Sequence, residues 1–165
     1  MVSAMPTTIA VGCDQAGAEM KEAVIAELRA AGVEALDLSP EPALDYPDAA
    51  ERVANAVAAR DAELGVLICG TGIGMCITAN KVPGVRAALC ADPFSARMSR
   101  EHNDANVLCL GGRTLGSATS VEILQAWLNA VPSLEERHVR RREKMDGVER
   151  NGRNTEGDWE TLPRK

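Results

Sequence analysis

Aromatic residues are scarce in this sequence: one Phe, one Tyr and two Trp make up 2% of its 165 residues. The core must therefore be aliphatic and rich in alanine, and an apolar content of 45% is sufficient for one globular unit of this length. Few aromatic side chains are available to stack on bases, and the formal net charge of −6 opposes general binding to nucleic acid or anionic membranes. A small anion can still be a ligand, because net charge does not exclude a local basic pocket.

Paired cysteines and long apolar runs are also missing. The five cysteines form no Cys-x-x-Cys motif, which predicts reduced thiols in a cytoplasmic protein without a zinc site. No apolar run reaches the length of a membrane span, and the N-terminus lacks the pattern of a signal peptide. We expect residues 1–5 to form an N-terminal extension, 6–150 the single domain and 151–165 a polar tail pinned by Trp159.

The most informative stretch runs from Gly65 to Lys81 and reads GVLICGTGIGMCITANK. An apolar run ends at Cys69 and breaks into Gly-Thr-Gly-Ile-Gly before a helix-compatible segment, so we predict a buried strand, a glycine loop and a helix. Alternate glycines let the backbone turn its N–H groups inward and hold an anion. A thiol beside such amides loses its proton more readily than a free thiol, so Cys69 is a candidate base or nucleophile.

Other interpretations of this loop stay open. Cysteines at strand ends are commonly small core hydrophobes, and Cys13, Cys90 and Cys109 have similar positions. The loop also differs from the dinucleotide fingerprint Gly-x-Gly-x-x-Gly, although Asp92 after the next strand imitates an acidic ribose contact. A phosphatase loop is excluded because Met75 stands where arginine is needed, and no Walker sequence is present.

Five predicted strands alternate with helices along the chain. The strands cover Thr7 to Cys13, Glu34 to Leu38, Val66 to Cys69, Val85 to Cys90 and Val107 to Leu110. This alternation predicts a Rossmann-like three-layer α/β/α sandwich with a five-stranded, mainly parallel sheet, followed by a C-terminal helix over about Leu134 to Val148. Ligands bind beyond the carboxyl ends of such strands, so Asp14, the loop from Cys69 to Gly74 and Arg113 should converge.

Histidines and arginines supply further candidates. His102 and His138 are the only histidines, and the polar residues that follow His102 favour a functional role for it. Arg137 and Arg141 lie four positions apart on the last predicted helix, which suits bidentate binding of a phosphate dianion. A solvated basic helix with ion pairs to nearby glutamates explains the same spacing. The spacing alone leaves both interpretations open.

Several motifs, taken together and in order, resemble the ribose-5-phosphate isomerase B family, which includes the galactose-6-phosphate isomerase subunits. They span about residues 6–148 and read Gly12-Cys13-Asp14, Asp45-Tyr46-Pro47, Ile68 to Gly74, Ala79-Asn80-Lys81, Arg100 to Asp104, Gly111-Gly112-Arg113 and Arg137 to Arg141. The resemblance implies aldose–ketose isomerisation of a sugar phosphate, ribose 5-phosphate to ribulose 5-phosphate, without metal or organic cofactor. It also implies a homodimer or a dimer of dimers with active sites between subunits.

The resemblance further implies individual roles. Cys69 matches the base that moves a proton between C1 and C2, and fixed donors beside it satisfy the need to stabilise an enediolate. Some relatives place a glutamate base where Met75 stands, which leaves Cys69 as the candidate. The remaining matches are Thr71 and the amides of Gly70, Gly72 and Gly74 for the enediolate, His102 with Asp14 for ring opening, Arg113, Arg137 and Arg141 for the phosphate, and Tyr46 and Asn103 for the sugar pocket.

One position departs from the family pattern. Gln15 stands where the family usually has a histidine that helps to hold the phosphate. Glutamine donates a hydrogen bond but carries no charge. Either the arginines suffice, or the substrate is a tetrose or hexose phosphate; a non-catalytic module that binds sugar phosphates or nucleotides is the remaining alternative.

Overall fold

The structure is a computed structural model that describes residues 6–39 and 44–153. It confirms the predicted alternation of strands and helices. The strands are β1 (Thr8–Cys13), β2 (Glu34–Asp37), β3 (Leu64–Cys69), β4 (Ala87–Leu89) and β5 (Val107–Gly111). The helices are α1 (Ala18–Ala30), α2 (Tyr46–Ala59), α3 (Ile73–Ala79), α4 (Pro93–Glu101), α5 (Ser117–Leu128) and α6 (Glu136–Arg153), and a 3-10 turn covers Gln15–Gly17.

The five strands form one sheet in the order β2-β1-β3-β5-β4. All four pairs of neighbouring strands are parallel, so the sheet is parallel throughout its described strands. The chain leaves β1 toward β2 on one side and returns to β3 on the other. This reversal opens a crevice outside the carboxyl ends of β1 and β3, where ligands of such sheets bind.

Two aliphatic cores cover the faces of the sheet and complete the predicted three layers. One core joins the sheet to α1, α4 and α5 and contains the fully buried Trp127. The other joins the sheet to α2 and α3 and is built largely from alanine and valine. Because side chains alternate along a strand, Ile68 enters the first core and Cys69 the second. Small aliphatic side chains thus fill the space that aromatic rings occupy in many other cores.

Local sequence signals set the starts of two helices. The carboxylate of Asp92 accepts a hydrogen bond from the amide of Ser95 at 2.7 Å and caps α4, with Pro93 at the first helical position. Pro47 occupies the first turn of α2, where its fixed φ suits the helix and no backbone N–H is needed. These signals fix the residues at which α2 and α4 begin.

The last helix begins later and ends later than predicted, at Glu136 and Arg153. Asn151 and Gly152, which indicate a helix end by composition, continue the helix because its preceding turns are rich in Glu, Arg and Lys, which are good helix formers. By spatial clustering the chain divides into a unit ending at Pro132 and a unit beginning at Ser133. The predicted domain limits of 6–150 stay a prediction.

The predicted N-terminal extension and the predicted polar tail are largely outside the described residues. Residues 1–5, Trp159 and the rest of the tail from residue 154 onward lie outside the described residues. Within residues 6–39 and 44–153, no helix combines the length and the apolar character needed to cross a membrane.

Candidate functional site

The thiol of Cys69 lies at the carboxyl end of β3, against the glycine loop. Its Sγ accepts a hydrogen bond from the amide of Gly72 at 3.1 Å, and the side chain is 5% exposed. Gly72 has a φ of +76°, in the left-handed region that favours glycine. The sulfur therefore packs in the core beneath α2 and α3 and also accepts a hydrogen bond from the loop backbone. Cys69 thus combines the two roles left open by the sequence, a small core residue and a thiol beside the loop amides.

The loops after β1, β3 and β5 meet at this edge, as the sequence predicts. The amide of Gly112 donates to the carbonyl of Cys69 at 2.7 Å, and the amide of Arg113 donates to the carbonyl of Gly70 at 2.9 Å. Asp14 donates its backbone amide to Ile68 at 3.2 Å. Its carboxylate accepts hydrogen bonds from the amides that follow it in the 3-10 turn. Three loops that are distant in sequence thus form one rigid rim.

A cavity of about 270 Å³ opens at this rim. It brings together four of the predicted site residues with three neighbours, and its lining consists of Asp14, Gln15, Ala16, Leu44, Asp45, Tyr46 and Arg113. Asp45 belongs to the Asp45-Tyr46-Pro47 motif, but the sequence pattern indicates no role for it. The signal that identifies it is its position: it precedes α2 as the N-cap residue, yet its side chain makes no capping hydrogen bond.

Two side chains connect the cavity to the glycine loop. The ring of Tyr46 lies so close to Gly74 that a Cβ added there would be 2.5 Å from its Cε2 atom. The side chain of Arg113 passes Gly70, where an added Cβ would be 3.4 Å from its Cδ atom. Close approach therefore requires glycine at position 74, whereas the distance at Gly70 is an ordinary van der Waals contact. The arrangement is compatible with a small polar ligand held between the rim and the loop.

His102 and Asn103 are not brought to this rim within one chain. They follow α4 and precede β5, at the amino ends of the strands, where the carbonyl of Asn106 accepts a hydrogen bond from Gly65 at 2.9 Å. The length of β3 separates this edge from Cys69 by about 17 Å. A side chain cannot bridge that distance, so these residues meet the Cys69 loop only if a second copy contributes them.

The paired arginines lie on α6, which belongs to the second unit. Arg137 and Arg141 are both exposed, and their spacing places them on one face of the helix. Arg137 also forms an ion pair with Glu135, with Nε and Oε2 at 2.7 Å. The helical placement of the pair is confirmed, and its phosphate-binding role stays a prediction.

The other cysteines differ in their ionisation. A hydrogen bond with Cys109 lowers the pKa of Cys76 to about 7, and the same contact raises the pKa of Cys109 well above its usual value. Burial raises the pKa of Cys90 to about 11 and also raises that of Cys13. Among the described residues, no three or more His, Cys, Asp or Glu side chains are grouped so that they could hold a metal ion.

The fold and the site together define a class: a parallel α/β protein with a thiol, a glycine loop and a polar cavity at the carboxyl edge of its sheet. A model of the family described as Ribose/Galactose Isomerase matches residues 9–145. The chain belongs to this family.

Individual relatives agree with this assignment. The ribose-5-phosphate isomerase B of Escherichia coli (strain K12) is 43% identical over 143 residues, which cover 86% of this chain and 95% of that protein. A D-erythrulose-4-phosphate isomerase of Pectobacterium atrosepticum is also 43% identical, over 126 residues, 74% of this chain and 83% of that one. The structure is similar to Mycoplasma genitalium ribose-5-phosphate isomerase B with bound ribulose-5-phosphate, with a TM-score of 0.82, 37% identity and coverage of 89% and 99%.

Proposed function

We propose that this protein is a cofactor-independent isomerase that interconverts ribose 5-phosphate and ribulose 5-phosphate. The observation that carries the proposal is the Sγ of Cys69, which accepts the Gly72 amide at 3.1 Å beside the cavity at the carboxyl edge of the sheet. Family membership and the ribulose-5-phosphate complex of the Mycoplasma relative support the substrate class.

In the proposed reaction Cys69 is the general base. Its sulfur removes the C2 proton of the open-chain aldose, the C2 electron pair forms a C1–C2 double bond, and the C1 carbonyl oxygen takes the charge. Return of the proton to C1, with transfer of the proton on O2 to O1, gives the ketose and regenerates the Cys69 base. Thr71 and the amides of Gly70, Gly72 and Gly74 stabilise the enediolate because fixed donors need no reorganisation when the charge develops.

The active unit that we propose is a homodimer, or a dimer of dimers. Because His102 and Asn103 lie at the opposite edge of the sheet from Cys69, a second copy must supply them for ring opening and sugar binding. Exposed apolar side chains support such a partner: Ile73 and Ile77, one turn apart on α3, are 51% and 57% exposed. Exposed apolar residues on one face of a helix are typical of subunit contacts.

The phosphate is proposed to bind to arginine. Arg137 and Arg141 present two guanidinium groups on one helix face, and a guanidinium group binds phosphate oxygens in bidentate geometry. Arg113 adds a third positive charge at the cavity that contains Asp14. We also propose a cytoplasmic location, because all five cysteines are free thiols.

A tetrose phosphate is the second candidate substrate. Gln15 lines the cavity with an exposed, neutral side chain, and the Pectobacterium relative is named for a four-carbon ketose phosphate. Loss of a positive charge at the rim weakens a contact to the dianion unless the arginines replace it. Relative kcat/KM values for ribose 5-phosphate and erythrose 4-phosphate distinguish the two candidates.

The proposed base is tested with the pair Cys69→Ala and Cys90→Ala. Both cysteines are buried near the carboxyl end of a strand, β3 for Cys69 and β4 for Cys90, but only Cys69 donates or accepts a hydrogen bond with the glycine loop. We expect Cys69→Ala to lower kcat by a factor of about 100 or more and Cys90→Ala to change it less than about twofold. Normal turnover by Cys69→Ala would refute the assigned base. Saturable binding of sugar phosphates by the parent protein without turnover would instead establish a binding module.

A further inference from the structure

The turn between α4 and β5 has an unusual backbone at Asp104. Its φ is +50°, and among the described non-glycine residues only Arg60 is also positive. Residues other than glycine have an unfavourable steric energy in this left-handed region. They keep such a conformation only where surrounding contacts impose it. Asp104 follows His102 and Asn103 directly, so whatever holds Asp104 also holds the residues proposed for ring opening.

Two arginines impose this conformation on the turn. Nη2 of Arg86 binds one carboxylate oxygen of Asp104 at 2.9 Å, and Nη1 of Arg100 binds the other at 2.9 Å. The same guanidinium groups also bind the backbone: Nε of Arg86 donates to the carbonyl of Asp104 at 3.0 Å, and Nη1 of Arg100 donates to that of Ala105 at 2.8 Å. Side chain and main chain are thus fixed together.

The clamp is anchored in the core of the first unit. The Arg100 side chain is 13% exposed, and its guanidinium carbon lies 5.6 Å from the centre of the buried Trp127 ring. Desolvating an arginine is costly, and burial lowers its pKa from the ordinary value. A turn that merely joins a helix to a strand is formed more cheaply by glycine or asparagine. The free-energy cost of desolvating Arg100 and of the positive φ at Asp104 indicates that this turn is held in one orientation for a functional reason.

We propose that Asp104 is a positioning residue for ring opening: the Arg86–Asp104–Arg100 clamp holds the turn that presents His102 and Asn103 to the site of a second copy. This inference rests on the proposed function. In the step concerned, the C1–O4 bond breaks and O4 keeps its electron pair and takes a proton from His102. The O1 proton leaves to Asp14, so that C1 becomes the aldehyde carbon.

Two readouts separate positioning from general stability. Ribose 5-phosphate is a closed furanose and needs the ring step. Ribulose 5-phosphate, with its O5 phosphorylated, is open, so exchange of its C1 proton with deuterium oxide at saturating substrate needs Cys69 and the enediolate donors but no ring opening. In Asp104→Asn, which tolerates a positive φ but loses the charge, we expect kcat for ribose 5-phosphate to fall at least about tenfold. Deuterium exchange into ribulose 5-phosphate, followed by NMR, should stay within about twofold of the parent.

The controls distinguish failure of this inference from failure of the proposed function. Arg97→Gln removes a more exposed ion pair of α4, to Glu101 at 3.8 Å, and should change neither readout. His102→Asn should lose conversion and keep exchange; normal conversion would refute the role of His102 itself. If His102→Asn behaves as expected but Asp104→Asn converts normally, or loses both activities together, the positioning role is overturned.

A second variant covers the case in which Asp104→Asn fails to fold. Arg86→Lys keeps the positive charge but cannot bind the carboxylate and the carbonyl of Asp104 at once. The proposal predicts the same selective loss of ribose 5-phosphate conversion in this variant. Equal loss of conversion and exchange, at an unchanged melting temperature, contradicts it.

Discussion

Replacing Gly72 by alanine tests the link between loop geometry and chemistry. The φ of +76° would cost an alanine about 1 kcal/mol. The new Cβ would also lie 3.0 Å from the carbonyl oxygen of Leu110 and 2.5 Å from Cδ1 of Leu89. Overpacking of this kind costs about 1–3 kcal/mol, because the backbone carbonyl cannot move aside as a side chain does. We expect a total loss of about 2–4 kcal/mol in the free energy of unfolding.

Activity should fall as well, for a separate reason. Relief of these contacts displaces the amide of Gly72, which donates to Sγ of Cys69 at 3.1 Å. Loss of one fixed donor at a reacting group typically lowers kcat by a factor of about 100 or more, so a fall of at least about tenfold in ribose 5-phosphate conversion is expected. Urea unfolding at fixed protein concentration and an assay of ribulose 5-phosphate formation measure the two effects.

Gly32→Ala is the matched control. Gly32 has nearly the same φ, +75°, but an added Cβ would meet nothing within 4 Å, and it lies between α1 and β2, in a loop that contributes nothing to the cavity lining. It should cost about 1 kcal/mol or less and leave kcat unchanged. Equal destabilisation of the two variants would refute the steric argument. Full activity in a folded Gly72→Ala protein would refute the role of the loop amide.

Three further predictions concern thiols, a partly buried ion pair and the basic helix. Alkylation of Cys76 by iodoacetamide should rise as the pH passes about 7 and level off above it, because the thiolate forms there; Cys109 should stay unmodified when labelled peptides are measured by mass spectrometry. Lys21→Met should lower the free energy of unfolding in urea by about 1–2 kcal/mol, because it removes the ammonium group that lies 2.7 Å from Asp37 and donates to the buried carbonyl of Ser39 at 3.2 Å; a loss below about 0.5 kcal/mol would contradict this. Arg141→Ala should raise KM for ribose 5-phosphate at least about tenfold and Arg141→Lys less; equal KM values in both variants would contradict bidentate phosphate binding.

Much of this architecture is encoded locally. The apolar periods predict every strand to within about two residues, because the spacing of apolar residues and the glycines and prolines between them reflect which backbone conformation buries each side chain. The loop after β3 is equally local: a strand that ends at Cys69 and runs into alternating glycines already implies a thiol beside backbone amides. The predicted end of α6 was wrong, because a charged, exposed helix has no apolar stripe to mark where it stops.

The sequence by itself determined the elements, the parallel connections and the residue types at the site, because these depend on contacts between near neighbours in the chain. Only the tertiary structure decided that Tyr46 packs on Gly74, that Asp45 lines the cavity, and that His102 lies at the edge away from Cys69. These facts depend on the order of the strands and on the loops that the order brings together. Strand order is set by the joint packing of both faces of the sheet, which no short window of sequence contains.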